Sequence, residues 1–557
     1  MPSSPPSYPS LELNTQPSIP ELLDFHLQHN PDFPFYVFTN DGSNGPTEIS
    51  MLEYIRASHR AGTLIRDAGD SQPGEIIAII ATLDTIVFSA MITGMIKAGL
   101  VPFPISILIP PDVVAKLIRE NNICRVITTS FTLRDFLASV REKLGPSYDC
   151  HFEDPPSLSV LYPKLGRETA EDEFSPLSNP SMPSDEDPAM CMHSSGSTGL
   201  PKTIRYTHRV LKSQAALFLI RETRCLDIRL GAFGLAFFHA SALYTCITAP
   251  LYGPTTAAVF PPTVTRPDAL PMTTTAENII EHLERNKATA LFSQPNFFTS
   301  FARSPKAIAV LKRLVFVTTG GGFIPTSVGE HLVSSGVRLQ IIWGATECGV
   351  PTLLSLEDEE WNSFKLTKEM TIRWVPYGEE LFRCHFLTSE KYQPAVENLP
   401  YDKGFEVPDL FERHPTKADF WRIVGRVDDV LAQANGQKTL PGPMEDATLA
   451  SHLVKGAVLF GRGHVHLGVL IELSPGHEID MNNPSEVDRV RNEVWPLIEG
   501  KNRDVAQYSQ IVCKEMILIA SSDKPLPRAA KGTVNKAASM KLYAVEIEDI
   551  YKAAKLD

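Results

Sequence analysis

The run of residues 193–202, HSSGSTGLPK, has the most distinctive chemistry in the sequence. Six of its ten residues are Gly, Ser or Thr, and a lysine closes it. Glycines let a backbone approach a phosphate closely, so that N–H groups and hydroxyls can donate to the phosphate oxygens. The spacing of a P-loop is missing, because Gly199 is followed by Leu-Pro-Lys. The run therefore predicts a phosphate-binding loop of another type, with a flexible surface loop as the alternative.

Four further motifs follow along the sequence. They are residues 320–325 (GGGFIP), 343–349 (WGATECG), 421–429 (WRIVGRVDD) with Asp409 shortly before, and 525–536 (PLPRAAKGTVNK). A carboxylate at the end of a strand, such as Glu347, is well placed to hold Mg²⁺ against phosphates. Taken alone, a Thr-Glu pair often caps a helix, and a Gly triplet is usually a turn.

Together and in this order, the five motifs resemble those of the adenylate-forming superfamily. That superfamily includes acyl-CoA synthetases, luciferases, and the adenylation domains of peptide synthetases and carboxylic acid reductases. The resemblance covers nearly the whole chain, from about residue 30 onward. It implies an enzyme that uses ATP and Mg²⁺ to convert a carboxylic acid into an acyl-AMP, releases pyrophosphate, and passes the acyl group to a thiol.

The resemblance implies a role for each candidate residue. Thr346 would contact the α-phosphate, Glu347 would hold Mg²⁺, and Trp343 would lie against the adenine. Asp409 would accept from the ribose hydroxyls, although Val-Pro precedes it where the family has Thr-Gly. Arg426 would reach the ribose or a phosphate. The full set expected to bind ATP or AMP is Ser194, Ser195, Gly196, Ser197, Thr198, Gly199, Lys202, Gly320, Gly321, Gly322, Trp343, Gly344, Ala345, Asp409 and Arg426.

The catalytic lysine depends on how the last motif is matched to the family. The family ends with a Gly-Lys motif whose lysine stabilises charge at the carboxylate and the α-phosphate. Matching the lysine directly selects Lys531, which we expect to be catalytic. An ungapped match from Pro527 places Thr533 there instead, with Lys536 at the closing basic position. An ordinary surface lysine is the alternative for Lys531.

Residues 238–241 (FHAS) match the part of the family that builds the acyl pocket. Domains that select α-amino acids usually have Phe-Asp there, and the Asp pairs with the substrate ammonium. His239 is a poor partner for an ammonium, so we expect an aryl or 2-oxo acid, unless His239 is only a core histidine. Phe238, Phe297 and Gly321 complete the expected pocket.

The last residues resemble adenylation domains of fungal synthetase-like and carboxylic-acid-reductase-like multidomain enzymes. In those enzymes the acceptor is the phosphopantetheine thiol of a carrier domain. The sequence contains no carrier motif, so we expect a carrier in trans or on a part that has been removed. A free-standing acyl-CoA ligase and a catalytically weak binding or docking module are the alternatives. The spacing at 193–202 disfavours a P-loop phosphotransferase.

The elements that must position these motifs have an α/β pattern. Residues 60–150 alternate apolar runs with helical patterns, which is typical of a parallel sheet with crossover helices. Residues 77–96 carry one charge and imitate a membrane span, but a β-branched run followed by a capped helix predicts strand, helix and strand. We also expect strands at residues 290–292, 314–317 and 339–343, a helix at 306–313, and loops at 169–188 and 260–275.

The predicted fold is therefore α/β with two domains. A large N-terminal domain, residues 1–427, would contain stacked and mostly parallel α/β sheets plus a barrel-like part. A small mobile C-terminal α/β domain would comprise residues 428–557, with Asp428 and Asp429 as the hinge. We expect residues 1–20 to be disordered, because prolines and serines dominate their start.

Composition excludes several other classes of protein. The net charge of −13 over 557 residues argues against nucleic-acid binding, which needs a basic face. None of the eight cysteines has C-x-x-C spacing, so neither a zinc site nor a redox pair is indicated. Sparse cysteines and the lack of a signal pattern favour the cytoplasm.

Overall fold

The computed structural model describes residues 17–43, 45–69, 71–179, 182–194, 201–215, 217, 226–355, 360–378, 380–529 and 532–554. The predicted α/β architecture is confirmed: two largely parallel sheets, a barrel-like antiparallel sheet and a small C-terminal α/β part. No helix among these residues combines the length and the apolar character that a membrane span would need.

Helices of the N-terminal part flank its sheets. They are α1 (Ile19–His29), α2 (Met51–Ala68), α3 (Thr85–Lys97), α4 (Pro111–Glu120), α5 (Arg134–Leu144), α6 (Leu158–Leu161), α7 (His208–Ala215), α8 (Ala240–Ala242), α9 (Ala249–Tyr252), α10 (Ala276–Arg285), α11 (Phe298–Arg303), α12 (Pro305–Leu311) and α13 (Thr326–Ser334). A π-helical segment, Leu243–Thr248, joins α8 to α9, and a 3-10 turn, Pro295–Phe297, precedes α11.

Nineteen strands precede residue 427 among the described residues. They are β1 (Pro34–Phe38), β2 (Thr47–Ser50), β3 (Ile76–Ile80), β4 (Val101–Pro104), β5 (Arg125–Thr128), β6 (His151–Glu153), β7 (Pro188–His193), β8 (Thr203–Thr207), β9 (Arg229–Gly231), β10 (Thr256–Ala258), β11 (Ala290–Ser293), β12 (Phe316–Gly320), β13 (Leu339–Ile342), β14 (Thr352–Leu353), β15 (Phe364–Leu366), β16 (Thr371–Pro376), β17 (Leu381–Leu387), β18 (Gly404–Arg413) and β19 (Phe420–Arg426).

These strands form three sheets and one hairpin. The order β13-β12-β11-β9-β10-β1-β2 is parallel throughout except for the β1–β2 pair, and β4-β3-β5-β6 is entirely parallel. The barrel-like sheet has the antiparallel order β14-β15-β19-β18-β17-β16, and β7 pairs with β8 in a hairpin.

The C-terminal part has its own core. Its elements are β20 (Leu431–Ala432), β21 (Lys438–Thr439), α14 (Gly442–Leu449), β22 (Val454–Phe460), β23 (Gly468–Leu473), α15 (Pro484–Asn502), β24 (Ile517–Ile519), α16 (Lys536–Leu542) and α17 (Ala544–Ala554), with 3-10 turns at Gln507–Ser509 and Lys514–Met516. A sheet of order β22-β23-β24 packs against α15 and α17 through a separate apolar cluster.

The apolar stretch at residues 77–96 forms β3 and α3, as the pattern predicts. Every residue of α3 from Ile86 to Lys97 is buried. Helices α2 and α3 meet at two glycines: a Cβ on Gly94 would lie 2.2 Å from the carbonyl oxygen of Ser58, and one on Gly62 would lie 2.5 Å from that of Gly94. The buried ammonium of Lys97 pairs with Asp24 of α1 at 2.6 Å.

Several boundaries differ from the sequence-based expectation; among the strands, β11 extends to Ser293 and β13 ends at Ile342. Residues 17–20 are ordered, because Ser18 and Glu21 form a capping box at the start of α1; residues 1–16 lie outside the described residues. Strand β12 starts at Phe316 rather than at residue 314, because the N–H of Leu314 donates to Leu311 and closes the turn after α12. That helix likewise covers Pro305–Leu311 instead of 306–313.

Candidate active site

The predicted phosphate loop lies at the tip of the β7–β8 hairpin. In this hairpin His193 is opposite Thr203. The neck of the loop is closed by two hydrogen bonds: the N–H of Ser194 donates to the Lys202 carbonyl at 2.9 Å, and the N–H of Lys202 donates to Ser194 Oγ at 3.2 Å. The loop residues Ser195, Gly196, Ser197, Thr198 and Gly199 lie outside the described residues.

Two of the other motifs begin where neighbouring parallel strands end. Strands β12 and β13 pair so that Gly320 is opposite Ile342, the last residue of β13. A Cβ on Gly320 would lie 2.5 Å from the carbonyl oxygen of Ile342, so only glycine fits there. Gly321 has a φ of +80°, which a side chain would strain. The glycine turn 320–322 and the turn 343–349 therefore share one edge of the sheet, where open α/β sheets bind ligands.

The turn 343–349 is fixed from several sides. Ala345 and Gly349 exchange backbone hydrogen bonds of 3.0 and 2.8 Å, and a Cβ on Gly344 would lie 2.6 Å from the Gly349 carbonyl oxygen. The hydroxyl of Tyr206, on β8, donates to the Thr346 carbonyl. The Glu347 carbonyl accepts from an N–H in the loop after β17, at 2.7 Å. The turn thus holds Thr346 and Glu347 beside the phosphate-loop hairpin.

Trp343 lies inside the barrel-like sheet. Its side chain is only 6% exposed and packs against the rings of Phe364, Phe386 and Phe411. Its indole N–H donates to Asp409 Oδ2 at 2.9 Å. In this structure Trp343 joins the turn to Asp409 and forms part of an aromatic core.

Asp409 and Arg426 are opposite each other on β18 and β19. Arg426 Nη1 lies 3.6 Å from Asp409 Oδ1, and the same guanidinium donates to both carboxylate oxygens of Asp428 at 3.0 and 3.1 Å. Burial acts to lower the pKa of Arg426, but its hydrogen bond to Asp428 and the charge of Asp409 raise it overall. A permanent cation therefore joins the expected ribose acceptor to the expected hinge.

The last motif forms a hairpin that reaches the glycine turn. Arg528 bridges to Val534, and the N–H of Ala529 donates to the Thr533 carbonyl at 2.8 Å. A Cβ on Gly322 would lie 3.2 Å from Thr533 Cγ2, so the threonine methyl faces this turn. Lys531 lies outside the described residues.

Lys536, the basic residue of the ungapped match, bonds elsewhere. Its Nζ lies 2.7 Å from Glu445 Oε2 and 3.2 Å from Asp429 Oδ2. Burial acts to lower the pKa of Lys536, and the charges of Glu445 and Asp429 raise it overall. Lys536 therefore ties the start of α16 to the expected hinge.

The docking of the C-terminal part involves one residue that the sequence pattern does not reveal. The N–H of Thr326, the first residue of α13, donates to Asp446 Oδ1 of α14 at 2.9 Å. Pro325 occupies the N-cap position of α13 and provides no side-chain cap. The C-terminal part thus caps a helix of the N-terminal part, 120 residues away in the chain.

The residues expected to line the acyl pocket come from two separate segments of the chain. His239 occupies the N-cap position of α8, and its ring contacts Phe238 with a centroid distance of 4.8 Å. Both residues are half-buried. Phe297 is half-buried in the 3-10 turn, two residues after Pro295, whose ring lies 3.3 Å from a Cβ built on Gly322. The segment that carries Phe297 thus adjoins the glycine turn, while Phe238 stacks on His193 at the end of β7.

Magnesium fits the site only as an ion shared with phosphates. Among the described residues, no group of three His, Cys, Asp or Glu side chains could form a metal cage. Mg²⁺ is commonly held by one or two carboxylates plus substrate phosphates, and Glu347 is a half-buried carboxylate beside the phosphate-loop hairpin. Burial raises the pKa of the Tyr206 hydroxyl well above its usual range. The nearby Tyr244 and the charge of Glu347 raise this pKa further.

Comparisons with known proteins agree with this geometry. The adenylate-forming reductase Nps11 of Serpula lacrymans var. lacrymans is 41% identical over 540 residues, which cover 96% of this chain and 49% of that protein. The carboxylic acid reductase of Neurospora crassa is 27% identical over 386 residues, covering 66% of this chain and 35% of that protein. The chain thus spans about half the length of the first relative, and the match to the second spans about a third.

A solved structure has the same fold. The anthranilate CoA ligase AuaEII, in complex with anthranoyl-AMP, matches with a TM-score of 0.70 and 16% identity over 98% of this chain and all of that chain. Two family profiles also match: AMP-binding enzyme at residues 23–369 and AMP-binding enzyme C-terminal domain at residues 428–555. The chain belongs to the AMP-binding enzyme family and is an adenylate-forming enzyme, which activates a carboxylic acid as its acyl-AMP.

Proposed function

We propose that this enzyme converts an aryl or 2-oxo acid into its acyl-AMP and transfers the acyl group to the phosphopantetheine thiol of a carrier domain. The observation that carries the proposal is the arrangement at the strand ends. The hairpin with Thr533 lies against Gly322, and Asp409 and Arg426 face each other on the adjoining sheet. Residues from both parts of the chain therefore meet at one predicted nucleotide site.

In the first step, a carboxylate oxygen attacks the α-phosphorus of ATP, and the bond to the β-phosphate breaks to release pyrophosphate. Little proton transfer is needed, so positioning and charge stabilisation supply most of the rate. The loop 194–202 holds the leaving pyrophosphate, and Thr346 contacts the α-phosphate. Lys531 stabilises negative charge on the side of the attacking carboxylate.

The nucleoside is held by residues of both turns and of the barrel-like sheet. Asp409 accepts from the ribose hydroxyls, and Arg426 restrains that carboxylate and reaches the ribose or a phosphate. The glycine turn 320–322 and the turn at residues 343–345 line the adenine. Glu347 is the residue that would hold Mg²⁺, and the ion would neutralise charge on the phosphates.

In the second step, the thiol sulfur attacks the acyl carbon and AMP leaves. Activation and transfer need different groups over the same carbon, so we infer that residues 428–557 rotate as a domain on residues 1–427. The hinge is Asp428 and Asp429. Its contacts with Arg426 and Lys536 are formed in the present arrangement.

His239 supports the substrate class. At the position where amino-acid-selecting domains have Asp, this chain has a half-buried imidazole packed against Phe238. An imidazole, whether neutral or cationic, is a poorer partner for an ammonium than a carboxylate is. The neighbouring Phe238 ring offers an apolar face to a planar acid, which favours an aryl substrate or a 2-oxo acid.

The test is pyrophosphate release, trapped with hydroxylamine, across benzoic, cinnamic, 2-oxo and α-amino acids. We expect turnover only with acids that lack an α-amino group. Preference for an α-amino acid would overturn the role of His239 and leave acyl-AMP formation intact. Thioester formation with coenzyme A would identify an acyl-CoA ligase, and ATP binding without turnover would favour a binding or docking module.

Two lysine variants test the catalytic residue. Lys531→Ala should lower the rate of pyrophosphate release by about 100-fold or more, because it removes a charge that stabilises the transition state. Lys541→Ala is the matched control, since Lys541 is exposed on α16 of the same part. Full activity of Lys531→Ala would show that the direct match of the motif is wrong.

A further inference from the structure

His193, the last residue of β7, has both ring nitrogens in hydrogen bonds with the backbone. The residue is 4% exposed. Its Nε2 lies 3.2 Å from the N–H nitrogen of Ser106, which follows β4. Its Nδ1 lies 3.3 Å from the carbonyl oxygen of Ser194, the first residue of the phosphate loop.

These two partners determine the tautomer of the ring. A backbone N–H only donates, so Nε2 must be the accepting nitrogen. A carbonyl oxygen only accepts, so Nδ1 must carry the proton. The ring is therefore neutral, and burial, which lowers the pKa of His193, favours the same form.

The same ring also contacts the predicted acyl pocket. The imidazole stacks on Phe238 with a centroid distance of 6.2 Å and an interplanar angle of 17°. Ser106 is fully buried beside the four-stranded parallel sheet. His193 therefore contacts three separate parts of the site: the rigid sheet, the first peptide of the phosphate loop and the acyl pocket.

We propose that His193 is a positioning residue that fixes Ser194, and with it the Ser194–Lys202 neck of the predicted phosphate loop, for ATP binding. Because Ser106 holds Nε2 and the Ser194 carbonyl accepts from Nδ1, the ring fixes the backbone at Ser194 relative to the segment that follows β4. The closed neck between Ser194 and Lys202 then holds this position at the base of the loop. The inference rests on the proposed function, because it assumes that the loop binds the phosphates of ATP.

Two substitutions separate this role from simple packing. In His193→Asn the side-chain amide takes the place of Nδ1 and can still donate to the Ser194 carbonyl. In His193→Gln the amide oxygen takes the place of Nε2 and keeps only the bond from Ser106. We expect His193→Gln to raise KM for ATP about tenfold with little change in kcat, as the loss of one buried hydrogen bond predicts. His193→Asn should stay within about threefold of wild type.

The measurements are steady-state pyrophosphate release and calorimetric titration of ATP, both on the full chain, with melting temperatures as the check on folding. Equal KM values for the two variants, or a larger effect of His193→Asn, would overturn the proposal. The calorimetric Kd for ATP tests the role of His193 independently of the proposed function. If the wild-type chain shows no turnover, the proposed function is refuted. A weaker Kd for ATP in His193→Gln alone would still support the role of His193.

Discussion

Glu53 provides a pH-dependent test of how this structure is held together. It lies on α2, is 1% exposed, and accepts the N–H of Gly166 at 2.7 Å. Burial raises its pKa from 4.5 to about 7; the nearby Glu168 also raises it, while the Gly166 hydrogen bond lowers it. The folded chain therefore holds this proton more tightly than the unfolded chain does.

The sign of the effect follows from that difference. The contribution of Glu53 to stability is fully present below pH 4.5 and is lost as pH rises toward about 7. A pKa rise from 4.5 to about 7 corresponds to about 3 kcal/mol at most. Glu53→Gln removes the ionisation and keeps a carbonyl that accepts from Gly166. At pH 8 the variant should be more stable than wild type by about 1–3 kcal/mol, and near pH 5 the difference should fall below about 1 kcal/mol.

The assay is urea unfolding followed by tryptophan fluorescence at several pH values between 5 and 8. Glu171→Gln is the matched control, because Glu171 is an exposed carboxylate in the loop that follows Gly166. Its midpoint should track wild type at every pH. Equal midpoints for Glu53→Gln and wild type at pH 8 would refute the reasoning, since Glu53 would then ionise in the folded chain at little cost.

Three further perturbations test other contacts. Asp446→Ala removes the cap on α13, a contact between the two parts of the chain that is worth about 1 kcal/mol. Pyrophosphate release should therefore slow about fivefold. An unchanged rate would show that the cap does not favour the docked arrangement of the two parts. Asp24→Ala leaves the Lys97 ammonium buried without its carboxylate and should destabilise the chain by about 3 kcal/mol. Lys97→Met should cost only about 1 kcal/mol, because the Asp24 carboxylate that it leaves behind is half-exposed. Comparable melting temperatures for the two variants would contradict this asymmetry. Asp409→Ala should raise KM for ATP at least tenfold, measured by pyrophosphate release, and a normal KM would remove Asp409 from the nucleotide site.

Local sequence patterns predicted those helices and strands that have a clear hydrophobic pattern or distinct residues at their ends. The apolar run at residues 77–96 was correctly assigned to strand and helix because a β-branched run and a terminal lysine mark its boundaries. The expected cap is not formed: Asp84 occupies the N-cap position, but its carboxylate accepts from the N–H groups of Thr263 and Val264. The start of β12 was misplaced because the apolar run 314–317 spans both the closing turn of α12 and the strand. Only the pairing of β12 with β11 and β13 decides where the strand begins.

Contacts between distant segments had no signal in the sequence. Tyr206 meets the Thr346 carbonyl across 140 positions, and Asp446 meets Thr326 across 120. The sequence likewise did not predict the aromatic surroundings of Trp343, because the rings that bury it come from strands later in the chain. An ungapped match placed Thr533 at the family's lysine position, but it gave no indication that the threonine methyl faces the glycine turn.

The contact of Thr533 with Gly322 means that, in the proposed nucleotide site, one wall belongs to each part of the chain. A ligand held between both walls binds more tightly when the parts are docked, and by reciprocity it favours docking by the same factor. In the proposed site, nucleotide binding and docking of the two parts are therefore thermodynamically linked. A mutation far from the nucleotide that loosens the docking weakens nucleotide binding without altering a single group that touches it.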